Sequence, residues 1–187
     1  MTFSIEIRWH GRGGHGIVSA SNLLCEMAMR KGYYGLSIPI FGAERRGAPT
    51  KVYTRISSRP IYKRSEVANP DMVVITDASL LHIVDPLRGL KKDGVIVINS
   101  HGMSNDDYKM LEGYRVVAIN AVDIAIKSDL KVGGIPVVTT PLLGGILKVL
   151  NIIDLDTAEE VIREKWEGAL GEKNIKALEM TMEVIRA

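Results

Sequence analysis

The sequence predicts an α/β fold: a Rossmann-like, mostly parallel sheet with helices on both faces, a β-hairpin insertion and a helical C-terminal tail. Three observations support this prediction. An alternating strand from Ile5 runs into a glycine-rich turn, which opens an apolar-periodic helix over residues 17–29. Three later segments are almost wholly β-branched or apolar, as buried parallel strands are. The last third of the chain repeats helix-start signals.

The first half of the chain contains three predicted strands. The strand from Ile5 comes first, and a second is predicted over residues 34–38. Residues 52–56 then alternate between polar and apolar side chains, which predicts a third strand whose two faces differ in environment. We expect this strand to form a hairpin with residues 61–62 across residues 58–60, and thus to add antiparallel at the sheet edge.

The middle of the chain alternates strands with helical connections. Pro86 should end or bend the first connection early, because proline cannot continue a helix. Strands are predicted over residues 72–76, 95–99 and 115–119, and helical connections over residues 78–90 and 106–111.

The C-terminal third is predicted to be helical. Helices are expected over residues 141–150, 157–169 and 172–186. Thr140 and Asp156 are the predicted caps of the first two, because Thr and Asp are preferred at helix N-caps and proline at the first helical position.

Length and charge indicate one domain and exclude some partners. The chain has 187 residues, 46% of them hydrophobic, with a formal net charge of +2. We expect a single α/β domain over residues 1–187, with the C-terminal helices at about 141–187. The balanced charge lacks the basic footprint of nucleic-acid binding. No signal pattern or long apolar span is visible, so the expectation is a cytoplasmic protein without membrane contact.

The N-terminal glycine turn is typical of an anion-binding edge. Gly11, Gly13 and Gly16 fit G-x-G-x-x-G between a strand and a helix. Glycine lets the backbone approach a ligand closely, and a helix N-terminus offers unpaired N–H groups and positive potential. We therefore predict binding of an anion at Gly11, Gly13, Gly14, His15 and Gly16. The same glycines would also serve tight strand-to-helix packing without any ligand.

A stand-alone nucleotide- or NAD-binding protein is the alternative interpretation of this turn. Dinucleotide sites hold the ribose with an acidic residue about 20 positions on, at the end of the second strand. Here that strand runs into Pro39, and no carboxylate occurs before Glu44. The sequence therefore offers no ribose contact.

Polar residues follow the other predicted parallel strands. Because right-handed crossovers bring the carboxyl ends of these strands to one edge, the side chains there should border a ligand site. Capping of the following helices would explain them equally well. The residues in question are Asp77, Ser79, Asn99, Ser100 and Asn120.

A charged loop is the strongest candidate for an interface or an acidic ligand. Glu44, Arg45 and Arg46 stand between Gly42 and Gly47. A guanidinium group binds carboxylate or phosphate with two hydrogen bonds. A local ion pair between Glu44 and one arginine is the alternative, although exposed pairs contribute only about 0–1 kcal/mol.

The sequence offers no metal site and no catalytic residue. Cys25 is the single cysteine, whereas an iron–sulfur cluster needs about four thiolates. Its apolar helical neighbours indicate a buried packing residue. The four histidines show no metal-ligand spacing.

Several segments together resemble one known family. They are Gly-Arg-Gly-Gly-His-Gly at residues 11–16, Phe-Gly-Ala-Glu-Arg-Arg-Gly-Ala-Pro at 41–49, Asn-Pro-Asp at 69–71 and Leu-Gly-Glu-Lys-Asn at 170–174. Over essentially the whole chain the sequence resembles the gamma subunit of pyruvate/2-ketoisovalerate:ferredoxin oxidoreductases. His15 stands where that family usually has glutamine, and histidine differs in that it can become charged near neutral pH.

The resemblance implies a subunit of a larger redox enzyme. Such a complex oxidatively decarboxylates pyruvate or a branched 2-oxoacid, transfers the acyl group to coenzyme A and reduces ferredoxin. The resemblance further implies that thiamine diphosphate, Mg²⁺ and 4Fe-4S clusters lie on the sister alpha, beta and delta subunits, and that this chain holds no cofactor of its own. It also implies that the glycine turn, with Gly11, Gly13, Gly14, His15 and Gly16, borders the path of coenzyme A. The isolated chain should then be inactive.

Overall fold

A mixed sheet forms the centre of the molecule, in a computed structural model that describes residues 3–40 and 47–185. Within these residues the sheet has six strands in the order β2-β3-β1-β4-β5-β6. β1 pairs in parallel with β4, β4 with β5 and β5 with β6, whereas β3 is antiparallel to both β1 and β2. The strands are β1 (Ser4–Arg12), β2 (Tyr34–Pro39), β3 (Pro49–Ser57), β4 (Met72–Ile75), β5 (Val95–Asn99) and β6 (Arg115–Ile119).

Helices cover both faces of this sheet, as predicted. A separate hairpin, β7 (Lys131–Val132) with β8 (Ile135–Pro136), precedes the C-terminal helices. The helices are α1 (Ile17–Arg30), α2 (Leu80–Ile83), α3 (Asn105–Met110), α4 (Ala121–Lys127), α5 (Thr139–Leu150), α6 (Leu155–Lys165) and α7 (Ala169–Val184).

Two apolar layers follow from the alternation of side chains along the strands. Val74 and Val97 face the larger layer, which α1, α5, α6 and α7 cover. Val73 and Ile96 face the smaller layer, where they pack with Leu80 of α2. Both faces of β4 and β5 are therefore buried, which explains the continuous apolar sequence of these two strands.

The predicted hairpin between β3 and residues 61–62 is wrong. β3 already has a partner on each side, since Val52 lies opposite Trp9 of β1 and Pro39 of β2. Residues 58–71 form no strand. Part of this segment is bound by buried Arg55 instead, whose guanidinium group donates to the carbonyls of Lys63 (3.1 Å) and Ser65 (2.7 Å). The hairpin insertion of the fold is instead formed by β2 and β3.

Two predicted caps are displaced by a few residues. Thr140 lies inside α5, which begins at Thr139. Asp154, and not Asp156, caps α6 by accepting the Thr157 N–H at 2.9 Å. α7 begins at Ala169, three residues before its predicted start.

The connection after β4 is mostly irregular. Only Leu80–Ile83 are helical, because the next residue, Val84, adopts an extended conformation. The early end agrees with the effect expected of Pro86. In the part of the chain described, no helix has both the length and the apolar character needed to cross a bilayer.

Candidate functional site

The candidate site is a cavity of about 260 Å³ beside the glycine turn, at the carboxyl edge of the parallel strands. α1, α5, α7 and the β7–β8 hairpin surround it. Leu23, Leu143 and Trp166 contribute to an apolar wall. Its polar lining includes His15, Ser19, Thr139, Thr140 and Asn174.

Gly11 and Gly13 have structural roles that limit their contribution to ligand binding. A Cβ atom on Gly11 would lie 2.7 Å from Cγ2 of Ile17 and 3.0 Å from Oγ1 of Thr76, so glycine permits the close contact of β1 with α1 and β4. The Gly13 N–H donates to the Ala48 carbonyl (2.9 Å), and its own carbonyl accepts the Gly47 N–H (3.0 Å). These two residues therefore shape the turn rather than offer donors to a ligand.

Gly14 and Gly16 place the start of α1 at the cavity. Their φ angles are 92° and 78°, in the left-handed region that favours glycine. Gly16 is the N-cap residue of α1, and no side chain caps this helix. The first N–H groups of a helix lack internal acceptors, so an uncapped N-terminus attracts an anion. Ser19 stands in this first turn and lines the cavity.

Arg12 fixes the turn to the neighbouring strand. Its Nε donates to Oδ2 of Asp77 at 2.6 Å, and its Nη2 donates to Oγ of Ser79 at 2.7 Å. Burial alone would raise the pKa of Asp77, but the hydrogen bonds from Ser79 and Arg12 outweigh it and lower the pKa. Asp77 is therefore an ionised partner of Arg12. It does not cap α2, whose N-cap residue is Ser79.

His15 is held against the end of β4. Its ring Nδ1 lies 3.0 Å from Oγ1 of Thr76, and its backbone N–H donates to the Arg12 carbonyl at 2.9 Å. Burial lowers the pKa of the ring; nearby Asp77 opposes this shift and Arg12 adds to it. The imidazole is therefore predominantly neutral at pH 7.

Asn120 caps its following helix, as the capping alternative predicts, whereas Asn99 links neighbouring segments and does not cap α3, whose N-cap residue is Ser104. Buried Asn99 donates to the Thr76 carbonyl (3.1 Å) and accepts the N–H of Ala121 (3.1 Å). Asn120 caps α4 by accepting the Asp123 N–H at 3.2 Å. Ser100 lies at the same edge, where its N–H donates to the Ile119 carbonyl.

The remaining predictions concern the charged loop, Cys25 and metal binding. Glu44, Arg45 and Arg46 fall outside the described residues, so their role stays a prediction. Burial and the nearby Glu26 raise the pKa of Cys25 to about 12, which leaves a protonated thiol with a packing role. Within residues 3–40 and 47–185, no three His, Cys, Asp or Glu side chains are grouped closely enough to hold a metal ion.

The arrangement of β2 also argues against a dinucleotide site. In Rossmann sites, the strand that carries the ribose-binding acid lies directly beside the first strand. Here antiparallel β3 occupies that place and β2 lies at the sheet edge. The end of β2 is therefore one strand too far from the glycine turn, in addition to lacking a carboxylate.

Sequence reasoning missed the far wall of the cavity. Thr139, Asn174 and the β7–β8 hairpin were not among the predicted site residues. A signal for the hairpin exists, because Gly133 and Gly134 form a two-residue turn in which both φ angles are positive.

Known proteins with similar sequences cover nearly the whole chain. The family model for pyruvate ferredoxin/flavodoxin oxidoreductase matches residues 6–184. The chain is 42% identical over 182 residues to the pyruvate synthase subunit PorC of Methanothermobacter thermautotrophicus, covering 97% of this chain and 96% of that protein. It is 40% identical over 177 residues to the pyruvate/ketoisovalerate oxidoreductases common subunit gamma of Thermococcus kodakarensis, covering 94% of each.

Solved structures show the same fold. The pyruvate oxidoreductase subunit PORC of Thermotoga maritima superposes with a TM-score of 0.78 at 34% identity, over 96% of each chain. The 2-oxoglutarate:ferredoxin oxidoreductase of Magnetococcus marinus matches with a TM-score of 0.78 at 20% identity, over 98% of this chain but 31% of that longer chain. From these relationships, and from a fold that agrees with them throughout, we conclude that this chain belongs to the pyruvate ferredoxin/flavodoxin oxidoreductase family and corresponds to its gamma (PorC) subunit.

Proposed function

We propose that this subunit provides the edge against which coenzyme A binds, in an enzyme that oxidises pyruvate or a branched 2-oxoacid to an acyl-CoA and reduces ferredoxin. The observation that carries the proposal is the uncapped N-terminus of α1, which opens beside the 260 Å³ cavity. Coenzyme A combines phosphate groups with a long, mostly uncharged arm. A helix N-terminus suits the former and a partly apolar cavity suits the latter.

A structural relative motivates the choice of ligand. The M. marinus enzyme, which contains this fold within a longer chain, was solved with 2-oxoglutarate, coenzyme A and succinyl-CoA bound. In the present chain, N–H groups of the first turn of α1 would donate to a phosphate, while Gly14 and Gly16 would let it approach the backbone. Arg12, bonded to Asp77, would hold the turn in position.

We further propose that the redox groups lie on other subunits. A 4Fe-4S cluster needs about four thiolates, and this chain has one cysteine. Thiamine diphosphate, Mg²⁺ and the clusters would then belong to the alpha, beta and delta subunits, with ferredoxin as the electron acceptor of the complex.

Glu44, Arg45 and Arg46 are proposed to meet an acidic group of a partner subunit or of coenzyme A. The chain would act as one domain.

A charge placed at Ser19 tests the proposed coenzyme A edge. Ser19→Glu adds a carboxylate to the first turn of α1, where negative charge stabilises a helix, so folding should not suffer. The same carboxylate would repel a phosphate bound at that N-terminus. In the assembled enzyme we expect the KM for coenzyme A to rise by about tenfold or more, with kcat and the KM for the 2-oxoacid nearly unchanged.

Ser19→Gln is the matched control, because it has nearly the same size without the charge. Its KM for coenzyme A should stay close to that of the unaltered enzyme. Equal KM values for the Glu and Gln variants, in complexes that assemble normally, would show that coenzyme A does not bind at this helix.

A further inference from the structure

A second cavity lies on the opposite face of the sheet from the glycine turn site. Trp9 of β1 packs in the larger apolar layer, so the neighbouring residues Arg8 and His10 project to the other face. The cavity there has a volume of about 220 Å³. Its lining includes His10, Lys51, Tyr53, Glu66, Leu80 and Val84.

Arg8 determines which nitrogen of the His10 ring carries the proton. Its Nε donates to Nε2 of His10 at 3.1 Å. Arginine only donates hydrogen bonds, so Nε2 must accept and the ring hydrogen must reside on Nδ1. The other guanidinium nitrogens are engaged with backbone carbonyls, among them those of Pro86 (3.0 Å) and Arg88. Arg8 is therefore an anchor, and His10 is the group that it orients.

The Nδ1–H group of His10 opens onto this cavity. His10 is 2% exposed, and its Nδ1 has no partner among the described residues. His10 is one of the residues that line the cavity. With Nε2 bonded to Arg8, Nδ1–H is the one polar group of the ring left to meet a bound molecule there. A buried donor of this kind is satisfied when it meets an acceptor.

The rest of the cavity favours a small anion with an apolar body. Lys51 places an ammonium group at the exposed rim, while Leu80 and Val84 offer an apolar surface. Glu66 also lines the cavity, and its Oε2 accepts the Tyr53 hydroxyl at 3.1 Å. Its negative charge remains, so the preference for an anion depends on the His10 donor and the Lys51 charge outweighing it. The volume lies below the range of about 300–1,000 Å³ that is usual for drug-sized ligands.

We propose that this cavity binds a short-chain monocarboxylate, with a carboxylate oxygen accepting the His10 Nδ1–H, Lys51 pairing with its charge, and the hydrocarbon part lying against Leu80 and Val84. The site is separate from the proposed coenzyme A edge and does not depend on it.

Titration of the full chain with 3-methylbutanoate, followed by NMR of the histidine ring nitrogens and backbone amides, tests this proposal. The free protein should show His10 as the Nδ1-protonated tautomer. The probe should shift the His10 Nδ1 signal and the amides of Lys51 and Leu80 with a dissociation constant in the roughly millimolar range. The uncharged analogue 3-methylbutan-1-ol should bind at least about tenfold more weakly, since it lacks the charge-assisted hydrogen bond.

Three variants locate the interaction. His10→Gln keeps an acceptor for Arg8 near the Nε2 position. Its N–H₂ group shares a carbon with that acceptor and does not take the place of Nδ1–H, so the variant should weaken binding by about tenfold or more. Lys51→Gln should weaken it severalfold. Lys92→Gln, at an exposed lysine that does not line the cavity, should leave it unchanged.

Several outcomes would overturn the proposal. One is equal affinity of the alcohol and the carboxylate for the unaltered chain, a comparison that does not depend on any variant folding. Others are equal affinity of the His10→Gln or Lys51→Gln variant and the unaltered chain, absence of saturable binding, and perturbations confined to the glycine turn.

Discussion

At the scale of single residues, His10 shows how surroundings change the chemistry of a side chain. Burial, followed by the positive charges of Arg8 and Lys51, lowers its pKa to about 3. The folded state therefore holds a neutral imidazole at pH values where the unfolded chain, with an ordinary histidine pKa near 6.5, binds a proton. Acidification must then favour unfolding.

We predict that the free energy of unfolding depends on pH and that His10→Gln weakens this dependence. Because the folded pKa is lowered, the His10 contribution is complete above about pH 6.5 and is lost as the pH falls toward 3, by up to about 1.4 kcal/mol per pH unit. Urea unfolding between pH 7 and pH 4.5 should show this slope in the unaltered chain and a smaller one in the variant. His15 has a lowered pKa as well, so some slope will remain.

His101→Gln serves as the control for this measurement, since His101 is exposed on a loop. It should leave the slope unchanged. A His10→Gln variant with the slope of the unaltered chain would show that His10 becomes protonated without cost in the folded state.

The glycine turn could be located from the sequence, but the role of each of its residues could not. The pattern places Gly13 at the binding edge, yet its N–H is engaged by the Ala48 carbonyl. That bond arises because β3 pairs along β1 as far as Pro49. Which N–H groups stay available is thus decided by a neighbour more than 30 residues away in the sequence.

At the scale of elements, the contact between α5 and α7 depends on a buried polar pair. The hydroxyl of Thr140 donates to Oδ1 of Asn174 at 2.7 Å, and Nδ2 of Asn174 donates to the Leu170 carbonyl at 2.8 Å. Both side chains are almost completely buried. The pair therefore fixes the position of α7 against α5, next to the candidate site.

We predict that Thr140→Val destabilises the chain. Valine keeps the shape of threonine but leaves the buried oxygen of Asn174 without its donor, which should lower the free energy of unfolding by about 1–3 kcal/mol. Urea denaturation measures the difference. Thr139→Val is the matched control, because Thr139 is adjacent and equally buried but makes no side-chain hydrogen bond to the other described residues. Equal stability of the two variants would contradict a structural role for the Thr140–Asn174 bond.

The predicted elements agree with the structure where the local sequence alone determines their bounds. Runs of β-branched residues gave β5 and β6 with their observed bounds. β5 is buried on both faces, whereas edge strand β6 is only partly buried. The partner of β3 was predicted incorrectly, because alternation reveals the two faces of a strand but not its neighbours. The cap of α6 was misplaced because two aspartates, Asp154 and Asp156, both stand at its start.

At the scale of the whole molecule, the candidate site is assembled from residues that lie far apart in the sequence. Its cavity draws on Ser19 of α1 and on Asn174 of α7, which are near opposite ends of the sequence. No local pattern unites such residues, which is why sequence analysis found one wall of the site and missed the other.

We predict that the isolated chain is folded and catalytically silent. One cysteine cannot hold a 4Fe-4S cluster, so the purified subunit should lack iron–sulfur absorbance and should not oxidise 2-oxoacids with a viologen dye. Circular dichroism and cooperative urea unfolding would establish that it is folded. Addition of the partner subunits should restore activity, whereas turnover by this chain alone would disprove the assignment of the redox groups to other subunits.

The position of β1 has a consequence for how the protein is made. This strand leaves the ribosome before both of its neighbours, because β3 and β4 come tens of residues later. Closing such long loops is slow, since their entropy must be lost before the new hydrogen bonds form. During synthesis Ile7 and Trp9 therefore lie on an unpaired strand until β3 has emerged, and one edge of β1 stays unpaired until residue 75 has emerged. A nascent chain that stops before residue 75 leaves the centre of its own sheet open to other strands and to chaperones.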